Sequence, residues 1–163
     1  MTRPRALVTG GAVRVGRAIA LALGRAGYDV LVHYHASAEA AEETADALRA
    51  GGARAATARA DLTRPGQIAG PFVAAGEAFG GLDLLVNNAA IFPRVDPLEA
   101  TADDWDRVFA LNARAAFLCS REAARRMERG AIVNIIDTGA SQAWPAYVPY
   151  VASKAALASV TRG

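Results

Sequence analysis

The stretch Ala6-Leu7-Val8-Thr9-Gly10-Gly11-Ala12-Val13-Arg14-Val15-Gly16-Arg17-Ala18-Ile19-Ala20-Leu21-Ala22-Leu23 decides the fold. Its first part, Ala6–Thr9, is a short β-rich run. Its last part repeats apolar residues at helical spacing, and Val15, Ala18, Ile19, Ala22 and Leu23 make one stripe expected to face a sheet. Between the two lies a glycine turn, Gly10 to Gly16, that opens onto a helix N-terminus. Such a turn points main-chain N–H groups and the positive end of the helix dipole at an anion, and its glycines admit close approach, which suits a pyrophosphate. Taken alone, the turn reads equally well as a tight strand-to-helix connection without a ligand.

The rest of the chain repeats this unit. Strands are predicted near Ala6–Thr9, Asp29–His33, Ala53–Ala58, Leu82–Asn87 and Ala131–Ile136. Helices are predicted near Val15–Ala26, Ala38–Ala50, Arg64–Phe79 and Ala102–Arg129, with a last one from about Tyr150 into the C-terminus. Ser37, Thr63 and Thr101 stand at N-cap positions, and Gly27, Gly51 and Gly130 follow helix ends. The alternation predicts an α/β fold: a Rossmann-type doubly wound parallel sheet of strand order 3-2-1-4-5, with the last strands of such a sheet missing. With no repeat, linker or low-complexity segment, residues 1–163 read as one dinucleotide-binding domain. Gly163 falls within or just after the last helix and would leave Ala131–Ile136 as a bare apolar edge, so the chain reads as a fragment of a longer protein.

Composition narrows the class of partner. A chain of 163 residues that is 53% hydrophobic can bury a core, and a net charge of +2 with arginines scattered among acids forms no nucleic-acid stripe. The N-terminus lacks the long apolar segment of a signal peptide, and no run of about 18 apolar residues suggests a membrane span. A cytoplasmic protein is expected. Cys119, the single cysteine, lies in an apolar helical stretch and reads as a small core residue. His33 and His35 stand near the end of a strand and read as ordinary surface or cofactor contacts, so no metal site is expected. Of 18 basic residues 17 are arginine, and the one lysine, Lys154, stands four residues after Tyr150.

That spacing places a phenol and an amine on one helix face, where an ammonium favours phenolate and draws its pKa towards the working range. An acid that would hold the ribose 2′-OH of NAD is absent about 20 residues beyond the glycine turn. The second strand ends instead in His33-Tyr34-His35-Ala36-Ser37. Arg14 in the turn is placed to meet a 2′-phosphate, and Ser37 adds a hydroxyl, so NADPH is the expected cofactor.

The glycine turn, Asp61 after the third strand, Asn87-Asn88-Ala89 after the fourth, Asn112 in the long helix and Tyr150-x-x-x-Lys154 together resemble the short-chain dehydrogenase/reductases. The likeness covers essentially the whole chain. It implies that Tyr150 is the general acid/base, that Lys154 binds the nicotinamide ribose and lowers the tyrosine pKa, and that Asn112 anchors a relay water. It also implies that Asp61 and the neighbouring Leu62 lie at the adenine, that Asn88, Ala89 and Ala90 line the cofactor, and that Gly10, Val15 and Gly16 belong to its turn. The full-length protein would be a homodimer or homotetramer.

Two departures narrow the resemblance. Asp137 stands where the family usually has serine, and Arg14 where it usually has glycine. With the His33-Tyr34-His35 run and Phe92, they resemble the pteridine reductases, in which the arginine and aspartate face the pterin and the phenylalanine stacks on it. Arg14, Phe92, Asp137 and Tyr150 would then contact the substrate, with Asp137 assisting protonation of a ring nitrogen. Ala90 replaces a serine of that subgroup. A 3-oxoacyl-thioester or other carbonyl reductase is the alternative, and a non-catalytic NADPH-binding module a further one. Asp137-Thr138-Gly139 also resembles an aspartic-protease signature, but such a site needs two aspartates, and a strand-to-loop turn accounts for it more simply.

Overall fold

The computed structural model describes residues 3–162. Gly163, which the sequence reading places in or after the last helix, lies outside them, as do Met1 and Thr2. Five strands, β1 (Arg5–Val8), β2 (Asp29–Tyr34), β3 (Ala55–Arg59), β4 (Leu84–Asn87) and β5 (Ala131–Asn134), form one sheet of order β3-β2-β1-β4-β5. Every pairing is parallel, with Leu7 opposite Leu31 on one side and Leu85 on the other. Alternate residues of β1 serve two cores, as the two-residue period requires. Leu7 joins Leu31, Leu85, Phe72 and Cys119 on the face covered by α3 (Ala69–Phe79) and α5 (Ala116–Arg126). Ala6 and Val8 join Val30, Val32, Ala20 and Leu48 under α1 (Arg14–Arg25) and α2 (Ala38–Ala50). Cys119 is fully buried, as its apolar setting predicts, and burial pushes its thiol up to about 12. No helix among the described residues is long and apolar enough to cross a membrane.

The helices depart from the sequence reading in instructive ways. The buried face of α1 is Gly16, Ala20 and Gly24, whereas Val15 is 59% exposed and Ala18 and Ala22 face outward. The stripe is thus rotated by about one residue, because glycine carries no apolar side chain to count, yet lets the helix lie closest to the sheet. A Cβ at Gly16 would collide with the Gly10 carbonyl, and one at Gly24 with Leu48.

The long helix predicted over Ala102–Arg129 is α4 (Ala102–Phe109), a π-helical turn (Ala110–Ala115) and then α5, which stops at Arg126 when Met127 becomes extended. Thr101 caps α4 in a reciprocal box with Asp104, as its position suggests. Ser37 makes no side-chain cap bond. Thr63 caps no helix, because its N–H and hydroxyl both go to Asp61, and Pro65–Gln67 turn as a 3-10 segment before α3 begins. The last helix, α6 (Val148–Arg162), starts two residues before Tyr150.

The edge strand β5 is exposed along most of its length, with Ile132, Val133 and nearby Ile136 at 36–50%. Replacing Gly16 by alanine tests the close approach of α1. Overpacking against the Gly10 carbonyl is expected to cost about 1–3 kcal/mol, outweighing the roughly 1 kcal/mol that alanine gains in a helix. Urea denaturation reads the net sign.

Candidate active site

The strand order reverses between β1 and β4, and their C-terminal ends splay apart at Thr9 and Asn88. The Thr9 hydroxyl oxygen accepts the Asn88 N–H (2.9 Å) and the Ala89 N–H (3.1 Å), while the Asn88 side-chain amide donates to the carbonyls of Thr9 (3.0 Å) and Gly10 (3.1 Å). Above this staple opens a cleft of about 820 Å³, within the size range of small-ligand sites. Gly10, Arg14, Val15, Gly16, Tyr34, His35, Ser37, Asp61, Asn88, Ala89 and Ala90 all line it, as the sequence reading expects. Leu62 reaches it too, although at 4% exposure it belongs equally to the core.

Gly10 has φ +61°, and a Cβ there would press on Ala89. Arg14 holds φ 52°, a left-handed conformation that glycine adopts without cost and arginine does not. The Asp61 carboxylate is engaged within its own loop by Thr63 and Arg64, and the Thr63 hydroxyl above all holds it below the usual carboxylate range. His33 borders the cleft from behind. It is 2% exposed, with its ring bonded to Gly10 and Ala60, while His35, just beyond the end of β2, is exposed. A glycine-lined approach, a cation at Arg14 and the lack of an acid at the end of β2 fit a 2′-phosphorylated dinucleotide.

At the other end of the cleft stand Tyr150, Lys154 and Asp137. The Tyr150 hydroxyl donates to Asp137 Oδ2 at 2.8 Å, and Asp137 Oδ1 accepts the Gly139 N–H at 2.9 Å. The Gly139 N–H, followed by the Tyr150 hydroxyl, holds the Asp137 carboxyl below its ordinary range, so it is an anion at neutral pH. Lys154 Nζ donates to the Ile135 carbonyl (2.7 Å) and lies 5.9 Å from the centre of the Tyr150 ring. Burial lowers the Lys154 amine, and the Asp137 charge partly offsets this.

The expected effect on the phenol is reversed. Tyr150 is pushed up, by burial first and by Asp137 second, because the nearest charge to its oxygen is the carboxylate and not the ammonium. The remaining expected catalytic residue is Asn112. It is 1% exposed and away from the cleft lining, and its amide grips both the N–H and the C=O of Ile91 at 2.9 Å and donates to the Ser153 hydroxyl at 3.1 Å. The π-helical turn aims it there.

Phe92 is half exposed and stacks on Tyr147, with ring centres 4.3 Å apart and planes 5° from parallel; the edge of Tyr150 meets it at 4.3 Å and Trp144 at 6.3 Å. Tyr147, Trp144 and Ser153 escape the sequence reading. Tyr147 sits in a 3-10 turn just before α6, where a helical period does not connect it to Tyr150. Asp137-Thr138-Gly139 is the strand-to-loop turn, with Asp137 capping a 3-10 segment.

The fold is the Rossmann-type parallel sheet, of order 3-2-1-4-5, of the short-chain dehydrogenase structures. The short chain dehydrogenase family model matches residues 4–163, and the chain belongs to that family. It is 42% identical over 168 residues to a short-chain type dehydrogenase/reductase of Picea abies, covering 96% of this chain and 62% of that protein. A Burkholderia cenocepacia short chain dehydrogenase solved with NADP superposes with a TM-score of 0.95 at 40% identity, over 99% of this chain and 67% of that one. The landomycin C-6 ketoreductase LanV, solved with NADP and rabelomycin, gives 0.93 at 39% identity, over 98% and 68%. The chain therefore spans 62–68% of the length of these proteins.

Burial lowers the His33 imidazole from 6.5 to about 4. Between these values the unfolded chain binds a proton that the folded one refuses, so stability is full above about pH 6.5 and falls as pH drops towards 4. The loss approaches roughly 3 kcal/mol. Chemical denaturation across this range should show the decline, and His33→Asn should remove this part of it.

Proposed function

We propose that the full-length protein is an NADPH-dependent reductase acting on a flat ring compound, with Tyr150 as the proton donor. The observation that carries this reading is the Tyr150–Asp137 hydrogen bond at the end of a glycine-turn cleft, beside the parallel Phe92–Tyr147 pair. NADP in the two solved neighbours supports the cofactor, as do Arg14 and the absence of an acid at the end of β2. Bound there, the nicotinamide supplies hydride to an electrophilic carbon. Tyr150 then gives its proton to the adjoining oxygen or nitrogen, and Asp137 keeps the phenol protonated and aimed until that moment. The Lys154 ammonium, fixed on the Ile135 carbonyl, stands by to hold a ribose hydroxyl.

A ring ketone is the substrate best supported, because an aromatic wall favours planar partners and LanV is a ketoreductase crystallised with rabelomycin. A pterin is the second reading, favoured by Asp137, whose anion suits a substrate presenting N–H groups. An acyl thioester gains nothing from Phe92 and Tyr147. The reading takes residues 1–163 as one dinucleotide-binding domain of a longer cytoplasmic enzyme. The half-exposed Trp105 and Phe117 on α4 and α5 support contact with a second copy.

NADPH consumption by the full-length protein with an aromatic ring ketone, dihydrobiopterin, dihydrofolate and an acetoacetyl thioester tests the substrate. Turnover of a ring compound is expected; turnover of the thioester alone overturns the reading, and tight NADPH binding with no turnover favours a binding module. Tyr150→Phe should lower kcat by about 10²–10⁴-fold with NADPH affinity retained. Asp137→Asn removes the anion that keeps the phenol protonated, so the alkaline fall of kcat should move to lower pH.

A further inference from the structure

His33 joins the glycine turn to the end of β3. The Gly10 N–H donates to Nδ1 at 3.0 Å, and Nε2 lies 3.1 Å from the Ala60 carbonyl. A carbonyl only accepts, so Nε2 carries the proton and Nδ1 is left as the acceptor that Gly10 needs. The ring is thereby neutral and held in one tautomer. A second bond, Gly11 N–H to the His33 carbonyl at 2.9 Å, ties the turn to the same residue. From the opposite side Asn88 holds the Gly10 carbonyl. Both main-chain polar groups of Gly10, its N–H and its C=O, thus end on side chains, one from β2 and one from just beyond β4, at the point where φ is +61°.

We propose that His33 is a positioning residue for the dinucleotide turn, fixing the Gly10 peptide and coupling it to the segment that leads through Ala60 into Asp61 and Leu62. The inference rests on the dinucleotide reading given above. Its consequence is that the two stretches flanking the cleft are locked in register before a ligand arrives, so part of the ordering cost of binding is met in folding. Charged or titratable residues on the elements around the ring are Arg14, His35, Arg59, Asp61, Arg64 and Glu77. Among the described residues none of them bonds to it, and Arg5 and Asp29, at the far ends of β1 and β2, are bonded to Asp83 and Arg54. The latch is therefore one of hydrogen bonds in a buried site. Protonation of Nδ1 would replace the acceptor by a donor facing the Gly10 N–H, which agrees with the lowered basicity of the ring.

Three substitutions separate the two bonds. His33→Asn keeps an acceptor near the Nδ1 position, His33→Gln a donor near Nε2, and His33→Leu neither. Fluorescence titration with NADPH at pH 7.5, together with hydrogen exchange of the Gly10 amide in the ligand-free protein, reads the effect. Asparagine should bind NADPH within a few-fold of wild type and keep the Gly10 amide protected. Glutamine and leucine should weaken binding about tenfold or more, the cost of an unpaired buried group, and should expose the Gly10 amide to exchange while core amides of β1 stay protected. Equal affinities in all four proteins, or a Gly10 amide as protected in His33→Leu as in wild type, overturn the proposal. Wild-type protein that binds no dinucleotide overturns the cofactor reading instead, and the exchange measurement then still decides the latch.

Discussion

The cleft exists because two neighbouring parallel strands part company at one polar staple. Thr9 and Asn88 satisfy each other's main-chain groups where β1 and β4 can no longer do so, which keeps the crevice from collapsing or filling with unpaired N–H and C=O groups. From that point the chain leaves in two directions, into the glycine turn on one side and into Asn88–Phe92 on the other. Much of what lines the cleft hangs from those two segments, the rest coming from the ends of β2, β3 and β5 and the start of α6, and the two segments are pinned by polar side chains: His33 and Asn88 on Gly10, Thr44 on the Ala12 carbonyl, Asn112 on Ile91.

The Tyr150 end of the cleft follows a different logic. A tyrosine beside a lysine on a helix suggests a phenol tuned for ionisation, but the side chain nearest the phenol oxygen is an aspartate whose own charge is secured by the Gly139 N–H. That arrangement holds a proton in readiness. In the proposed reaction it suits a donor better than a base, and it makes Asp137 as decisive as Tyr150 for the direction in which protons move.

Much of this was legible in the residues. Alternating β-rich and helical runs fixed the number and order of strands, and the motifs at the strand ends gathered around one cleft because all parallel strands present their C-terminal ends on the same side. What escaped has physical causes. The buried face of α1 runs through Gly16 and Gly24, invisible to a count of apolar side chains. The π-helical turn that swings Asn112 inward leaves no mark in a pattern of alanines and leucines, and its bonds to Ile91 and Ser153 join residues 21 and 41 positions away. Trp144 and Tyr147 come to Phe92 through a loop of irregular turns, for which no periodicity exists.

Cys119 carries a practical corollary. Its sulfur is sealed between α5 and the sheet and is kept as an unreactive thiol by the same burial. An alkylating reagent can reach it only when that helix lifts away. A single native thiol among residues 1–163 thus makes covalent labelling a direct clock for opening of this core, with no engineered probe.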